Sequence, residues 1–599
     1  MDQTLAVKPT RFAKDLNRLK NYFSKPQNLI LLILGVVLSV LTIAPMLTII
    51  IDAFKIHIGY EVNISHLPAG SYSLSNFINL FTGFLRDKNL WNPLGNSIKL
   101  SALSCLFALA FGGTVAYLIT RTNLKYKKYI SAIFIFPYIM PQWTLALVWK
   151  NIFNSVAVTG GSNGLLATFF GINMPEWFCS GLFPSAVVMG IHYAPFAYIL
   201  IGAIFRNMDA NLEEAATILN TPRWKTFLRV TIPMVKPAIL STILLVFSGA
   251  MGSYPVPHYL KLSTLSTKYV EMKVNLQGQS SILAIIMMLI GITILVINQQ
   301  TTSGRKQYTT VTGKSGQASV VNLGKIGKYV VSAILIIATF FTSIFPLISF
   351  GIETFLPNPG DYSAFTFKWW NTSNAGGENG MYGNLGILYN TDIWTAFGNT
   401  VLVALVCALI AGTIGFLIGY AVSKNRKSKW ASYVNSIAFL PYLLPSLAFG
   451  AAYFIFGNEL GLWGTLTILM IVGSIKYIPF ASRSSLNAMM QISGEIEEAA
   501  IIQNIPWHKR MLHIIVPIQK SSILSGYLLP FITGMRELTL FMLLVPDTMI
   551  ITKMLDYYDE MGLYAFSSGI NLILIVFILV CNTAINKITG ASLDKGIGG

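Results

Sequence analysis

The stretch EEAATILNTPRWKTFLRVTIP, residues 213–233, returns 284 positions later, without a gap, as EEAAIIQNIPWHKRMLHIIVP, residues 497–517. Over 213–236 against 497–520, 11 of 24 positions are identical. The same offset carries Tyr193-Ala-Pro-Phe196 onto Tyr477-Ile-Pro-Phe480. Further upstream FPYIMP, 136–141, pairs with LPYLLP, 440–445, at an offset of 304, and Asn96-Ser97 pairs with Asn399-Thr400 at 303. The shift of about 20 residues between these offsets reads as an insertion around 154–181 of the first copy. The chain is a tandem duplication, and the repeated stretch is a polar interruption in each copy.

The surroundings of that interruption are very apolar. Of 599 residues 54% are hydrophobic and 11% charged, against roughly a quarter charged in soluble chains. The mean hydropathy is +0.61. Apolar runs long enough to cross a bilayer as helix occur about twelve times, near 29–52, 95–120, 129–153, 182–205, 237–258, 280–298, 329–350, 393–422, 430–456, 462–481, 521–545 and 563–584. The expected fold is an all-α integral membrane protein of two parallel six-helix repeats. With the N-terminus placed in the cytoplasm, 30 of the 42 Lys and Arg fall on the inner side, which selects N-in, C-in. Both repeated stretches are then cytoplasmic. The net charge of +18 is thereby spread over loops and does not form a face for nucleic acid.

The organisation expected is a tail 1–28, a first half 29–298 with its loop at 206–236, a linker 299–328, a second half 329–584 with its loop at 482–520, and a tail 585–599. The N-terminus lacks a cleavable signal pattern. The four cysteines and six histidines show no metal-ligand spacing, so no metal site is expected. The one GKS, 313–315, has Tyr308 where a P-loop needs glycine, so no ATP site is expected on this chain.

Locally, Glu-Glu-Ala-Ala opens a helix with acids in its first turn. Asn220 and Asn504 suit the left-handed residue that ends it. Thr221-Pro222 reads as the start of a second short helix. The loops resemble the EAA loops of permease subunits in type I binding-protein-dependent ABC importers, with Asn220 and Asn504 where that pattern has glycine. The resemblance implies coupling helices seated on two copies of a cytoplasmic P-loop ATPase, which holds ATP and Mg. Residues Glu213, Glu214, Ala215, Ala216, Asn220 and Pro233 would carry the coupling in one half, and Glu497, Glu498, Ala499, Ala500, Asn504 and Pro517 in the other. It further implies a solute-binding protein on the extracellular or periplasmic side and a place in the bacterial cytoplasmic membrane. Two-half fusions, and the segment GMRELTLFMLLVPDTMIITKML at 534–555, resemble the branch importing ferric iron, thiamine or 2-aminoethylphosphonate. Ferric iron is the first expectation.

Charges inside spans are costly and usually functional. Arg536 and Glu537 stand in the expected eleventh span, Tyr254 near the equivalent place in the fifth, and His192 and Lys476 at matching places in the fourth and tenth. These five are candidates for the path, with Lys476 alternatively reaching for the inner interface. Arg536 and Glu537, adjacent on a helix, are each expected to find a separate partner, either as structural ion pairs or as lining of the path. Pro137, Pro141, Pro195, Pro441, Pro445 and Pro479 are expected to kink helices, as bundle shaping or as a gate. Trp143 reads as a lipid-interface residue, with a platform on which substrate stacks as the alternative. An ion-coupled secondary transporter of twelve helices is the competing class; it leaves the duplicated loops without a purpose. A membrane scaffold or channel leaves the in-span charges without one.

Overall fold

The computed structural model describes residues 25–208, 213, 216, 218–303, 320–373, 385–490, 492 and 494–589. Among these, nine helices are long and apolar enough to cross a membrane, and twelve spans result if each of three bent pairs counts as one. The first six are Pro26–Phe54, Asp87–Arg121, Lys127–Ile139 with Gln142–Phe153, Glu176–Arg206, Trp224–Met251 and Gln277–Ile294. The second six are Gly324–Glu353, Thr391–Lys424, Lys429–Leu443 with Ser446–Glu459, Leu466–Met489, Trp507–Ile518 with Lys520–Met535, and Tyr564–Ala584. The architecture is all-α, in two repeats.

The breaks have chemical causes. The third span turns by 96° between Ile139 and Gln142, and the ninth by 102° between Leu443 and Ser446. Pro141 and Pro445 sit at these corners as the residues before the second helix of each pair. A proline there removes a helical donor, and its ring forces the preceding residue into an extended conformation. Met140 and Leu444 are accordingly extended, with ψ of 152° and 135°. Pro195 and Pro479 lie inside continuous helices, Leu182–Asn207 and Leu466–Met489, and do not break them.

Two small residues set the crossing of the second span on the fourth, and of the eighth on the tenth. A Cβ on Gly112 would come within 2.1 Å of the Ala194 carbonyl oxygen, and one on Gly415 within 2.5 Å of the Ala481 Cβ. These positions correspond in the repeat.

The halves exchange their first spans. Trp430 Nε1 of the ninth span donates to the Leu31 carbonyl of the first at 3.1 Å, and Tyr453 donates to Leu41. Reciprocally, Ser343 of the seventh span donates to Ile133 of the third at 3.0 Å, and Ser332 to Lys125 at 3.1 Å. The halves are therefore interlocked.

The expected eleventh span, 521–545, is corrected. Its helix stops at Met535, and residues 538–545 run without regular helix. Leu538, Leu540, Phe541, Leu543, Leu544 and Val545 are all buried. Their apolarity serves a protein interior, where non-helical backbone is tolerated.

Candidate coupling loops and central cavity

The second loop is the short helix Gly494–Ile502, a left-handed asparagine and the helix Trp507–Arg510, and the described residues of the first loop repeat the asparagine and the following helix, Arg223–Thr226. Asn220 has φ of 50° and Asn504 of 53°. The Thr221 N–H bonds the Ala216 carbonyl at 3.0 Å, and the Ile505 N–H bonds that of Ala500 at 3.1 Å. These are the five-residue closures that follow a left-handed C-terminal residue, so asparagine replaces glycine without changing the turn. The second helices start at Arg223 and Trp507, one residue later than expected, and Pro222 and Pro506 act as the residues before them. Pro233 falls inside the continuous span Trp224–Met251, whereas the chain bends by 84° between Ile518 and Lys520, just after Pro517.

Within the acid pairs, the first member of each turns inward. Glu213 accepts from Arg121, itself 1% exposed, and from Thr231 Oγ1 at 2.9 Å. Glu497 pairs with Lys424 and accepts from Tyr420 Oη at 2.7 Å. Arg121 and Lys424 are the last residues of the second and eighth spans, and the 303 offset superposes them. The loop of each half is thus tied by a carboxylate to its own span. Glu498 and Ala499 are exposed and Ala500 is buried. Glu214 and Ala215 lie outside the described residues. Arg121 and Lys424 were missed in the sequence, although the repeat offset that matched the loops also matches these cations.

A cavity of about 140 Å³ lies between the halves. Six of its aromatics are related by the repeat, Tyr138, Tyr193 and Phe196 corresponding to Tyr442, Tyr477 and Phe480. The candidates His192 and Lys476 also line it, and both serve the broken helices. His192 Nδ1 lies 2.8 Å from the Pro137 carbonyl, and Lys476 Nζ donates to Pro441 at 2.7 Å and Leu444 at 2.6 Å. Carbonyls freed by a helix break need donors, since lipid supplies none. Lys476 is 5% exposed and does not reach for the interface. In the first half the Met140 carbonyl, equivalent to Leu444, is taken by Arg536 Nη1 at 3.2 Å.

Arg536 and Glu537 line the cavity with separate partners. The guanidinium stands 4.4 Å from the centre of the Tyr138 ring. Glu537 accepts from Tyr477 Oη at 3.1 Å and from the Leu540 N–H at 2.9 Å. At the 284 offset their counterparts are Gly252 and Ser253, which also line the cavity. Tyr254 does not; its ring stacks on His258 with centroids 4.9 Å apart. Trp143 is 1% exposed and lines the cavity, so the lipid-interface reading fails.

At the end of the bundle opposite the loops the repeat persists. Ser97 Oγ accepts from the Leu265 N–H at 2.9 Å, and Thr400 Oγ1 from the Ile551 N–H at 2.9 Å. Asn96 donates to Ser263 at 2.9 Å and Asn399 to Met549 at 3.0 Å. In both halves the Asn-Ser/Thr pair fastens the start of the short helix that follows the cavity-lining segment.

With two symmetric loops at one end and a polar cavity between the halves, the arrangement is that of a duplicated permease. The profile of the family described as the binding-protein-dependent transport system inner membrane component matches residues 108–306 and again 411–592. This chain belongs to that family. It is the multi-pass permease component of an ABC importer, a family that works with an ATPase and a binding protein. A ferric transport system permease protein FbpB of Actinobacillus pleuropneumoniae is 23% identical over 81% of this permease and 69% of its own length. A putative ferric transport system permease protein FbpB 1 of Haemophilus influenzae is 24% identical over 75% and 70%. A probable sulfate transport system permease protein cysT of Prototheca wickerhamii is 28% identical over 34% of this chain and 80% of its own. That last match is to a single half, in agreement with the duplication.

Proposed function

We propose that this permease imports ferric iron, with its N- and C-termini in the cytoplasm. Two copies of a cytoplasmic ATPase carrying ATP and Mg sit on the loops at 206–236 and 482–520. A binding protein delivers the cargo on the outer side, to the loops within 154–181 and 351–392. The observation that carries the substrate is the likeness to ferric permeases along both halves. The cavity chemistry agrees with it: Glu537 and four tyrosine hydroxyls are oxygen donors of the kind hard cations take.

In this reading the tied carboxylates Glu213 and Glu497 hold each loop to its half, so that closure of the ATPases moves the span and not the loop alone. The exposed Glu498, and Glu214 by repeat, face the ATPase. Access alternates because the ATPase pair binds the two states of the permease unequally; equal affinity would shift nothing. The two helix corners adjoin the cavity, which Gln142 and Pro445 line, and act as its gate.

The test is uptake into proteoliposomes holding the assembled importer, its binding protein and internal ATP, with ferric iron, thiamine and 2-aminoethylphosphonate offered in turn. ATP-dependent entry of iron alone supports the reading. Entry of another solute, or entry driven by an ion gradient without ATP, overturns it.

A further inference from the structure

Past the central cavity, the connections that close the bundle opposite the loops bring together residues from both halves. His258 stands on the helix Pro255–Tyr259 of the first half, and Asp556 and Glu560 on the helix Ile551–Glu560 of the second. One ligand atom of each lies within 4.8 Å of the other two. We propose that His258, Asp556 and Glu560 form a receiving site where ferric iron is first held on its way to the cavity. The inference rests on the ferric reading above.

The site is built and graded in depth. Asp556 is 5% exposed, and its Oδ1 accepts from the buried Tyr259 Oη at 2.5 Å. His258 is held by stacking on Tyr254, and its Nε2 lies 3.6 Å from Glu560 Oε1. The Glu560 side chain is 56% exposed and His258 33%, so an arriving ion meets these before Asp556. In metal sites the ligating carboxylates are commonly oriented by hydrogen bonds from such outer partners.

Neighbouring charges are already engaged. Lys150 stands 3.9 Å from Asp559, and Lys553 3.0 Å from Asp547. Among the described residues neither Asp556 nor Glu560 is salt-bridged to a lysine or arginine, and the two carboxylates and the imidazole lie within reach of one point. Carboxylate oxygens suit a hard trivalent ion. Three protein ligands leave positions for water or for a carried chelator, and such a site can release its ion, as transit requires. Because the ligands come from both halves, separation of the halves at this end would dismantle the site. Sequence spacing gave no sign of it, since nearly 300 residues separate His258 from Asp556.

The experiment uses the assembled importer in detergent with ferric nitrilotriacetate as probe. Bound iron is read from the high-spin ferric EPR signal, and iron uptake is measured in proteoliposomes. Glu560→Gln, at an exposed position, and His258→Gln are expected to weaken binding about tenfold or more, and Tyr259→Phe by about tenfold through loss of orientation. Asp87→Asn, an exposed carboxylate elsewhere, is the control and binds as wild type. Uptake falls with binding. Unchanged binding and uptake in Glu560→Gln and His258→Gln would overturn the site while leaving iron import standing. A wild-type importer that moves no iron would overturn the ferric reading itself, and this inference with it.

Discussion

Lys476 and His192 show how one residue position can serve a helix break. Each lies within hydrogen-bonding reach of the carbonyl of the first proline in its FPYIMP-type motif, Pro441 and Pro137. Lysine does more, because it also covers Leu444, whereas Met140 needs Arg536 from the other half. Lys476→Met should therefore leave two buried carbonyls without a donor. An unsatisfied buried acceptor costs about 1–3 kcal/mol. The expected outcome is a clear fall in melting temperature of the purified permease, larger than for Thr583→Ala on the exposed face of the twelfth span. Equal melting of the two variants would show that the corner carbonyls are otherwise satisfied. The sequence placed both residues in spans, but their targets were invisible because the carbonyls belong to another span.

At the scale of elements, close helix crossings and capped ends decide what can change. Gly415→Leu places a side chain where even a Cβ would meet Ala481 at 2.5 Å. Overpacking of this kind costs about 1–3 kcal/mol, so poor yield and a lowered melting temperature are expected. The same change at Gly398, where a Cβ would meet nothing within 4 Å, should be tolerated.

The start of the sixth span gives a pH prediction. Glu61 Oε1 accepts from the Gly278 N–H at 2.6 Å, while its Oε2 and Asp52 Oδ1 flank the His57 ring, each 3.0 Å from a ring nitrogen. Burial would lower the His57 pKa, but hydrogen bonds and charge from Asp52 and Glu61 override it and raise it from 6.5 to about 9. A raised pKa means stabilisation that is complete below 6.5 and disappears as pH rises through about 9. Wild-type protein should therefore melt lower at about pH 10 than at about pH 6, and His57→Gln should flatten that part of the profile. An unchanged slope in the variant would assign the pH dependence to other groups.

For the whole molecule the question is how the loops grip their halves. Lys424→Glu sets like charges against each other at Glu497 and should reduce binding-protein-stimulated ATP hydrolysis several-fold in the assembled importer. The swap Lys424→Glu with Glu497→Lys restores the pair and should recover most of it; failure of the swap to recover activity would leave the tie a local packing detail. Changing Glu214 and Glu498 together to Lys should instead weaken retention of the ATPase by the permease, read by co-purification. Undiminished co-purification would remove these residues from the ATPase surface.

The duplication, the all-α membrane class, the left-handed asparagines and the loop helices followed from the sequence alone. These are local or periodic properties, carried by backbone propensity, hydropathy and the offset between copies. Hydropathy misplaced the end of the eleventh span, because apolar residues from 538 to 545 are equally at home in lipid and in a protein interior. The exchange of first spans, the inward turn of Glu213 and Glu497 onto Arg121 and Lys424, and the meeting of His258 with Asp556 and Glu560 were decided only in three dimensions. Each depends on which helices pack together, and that is set by small-residue crossings and helix breaks acting between spans far apart in the chain.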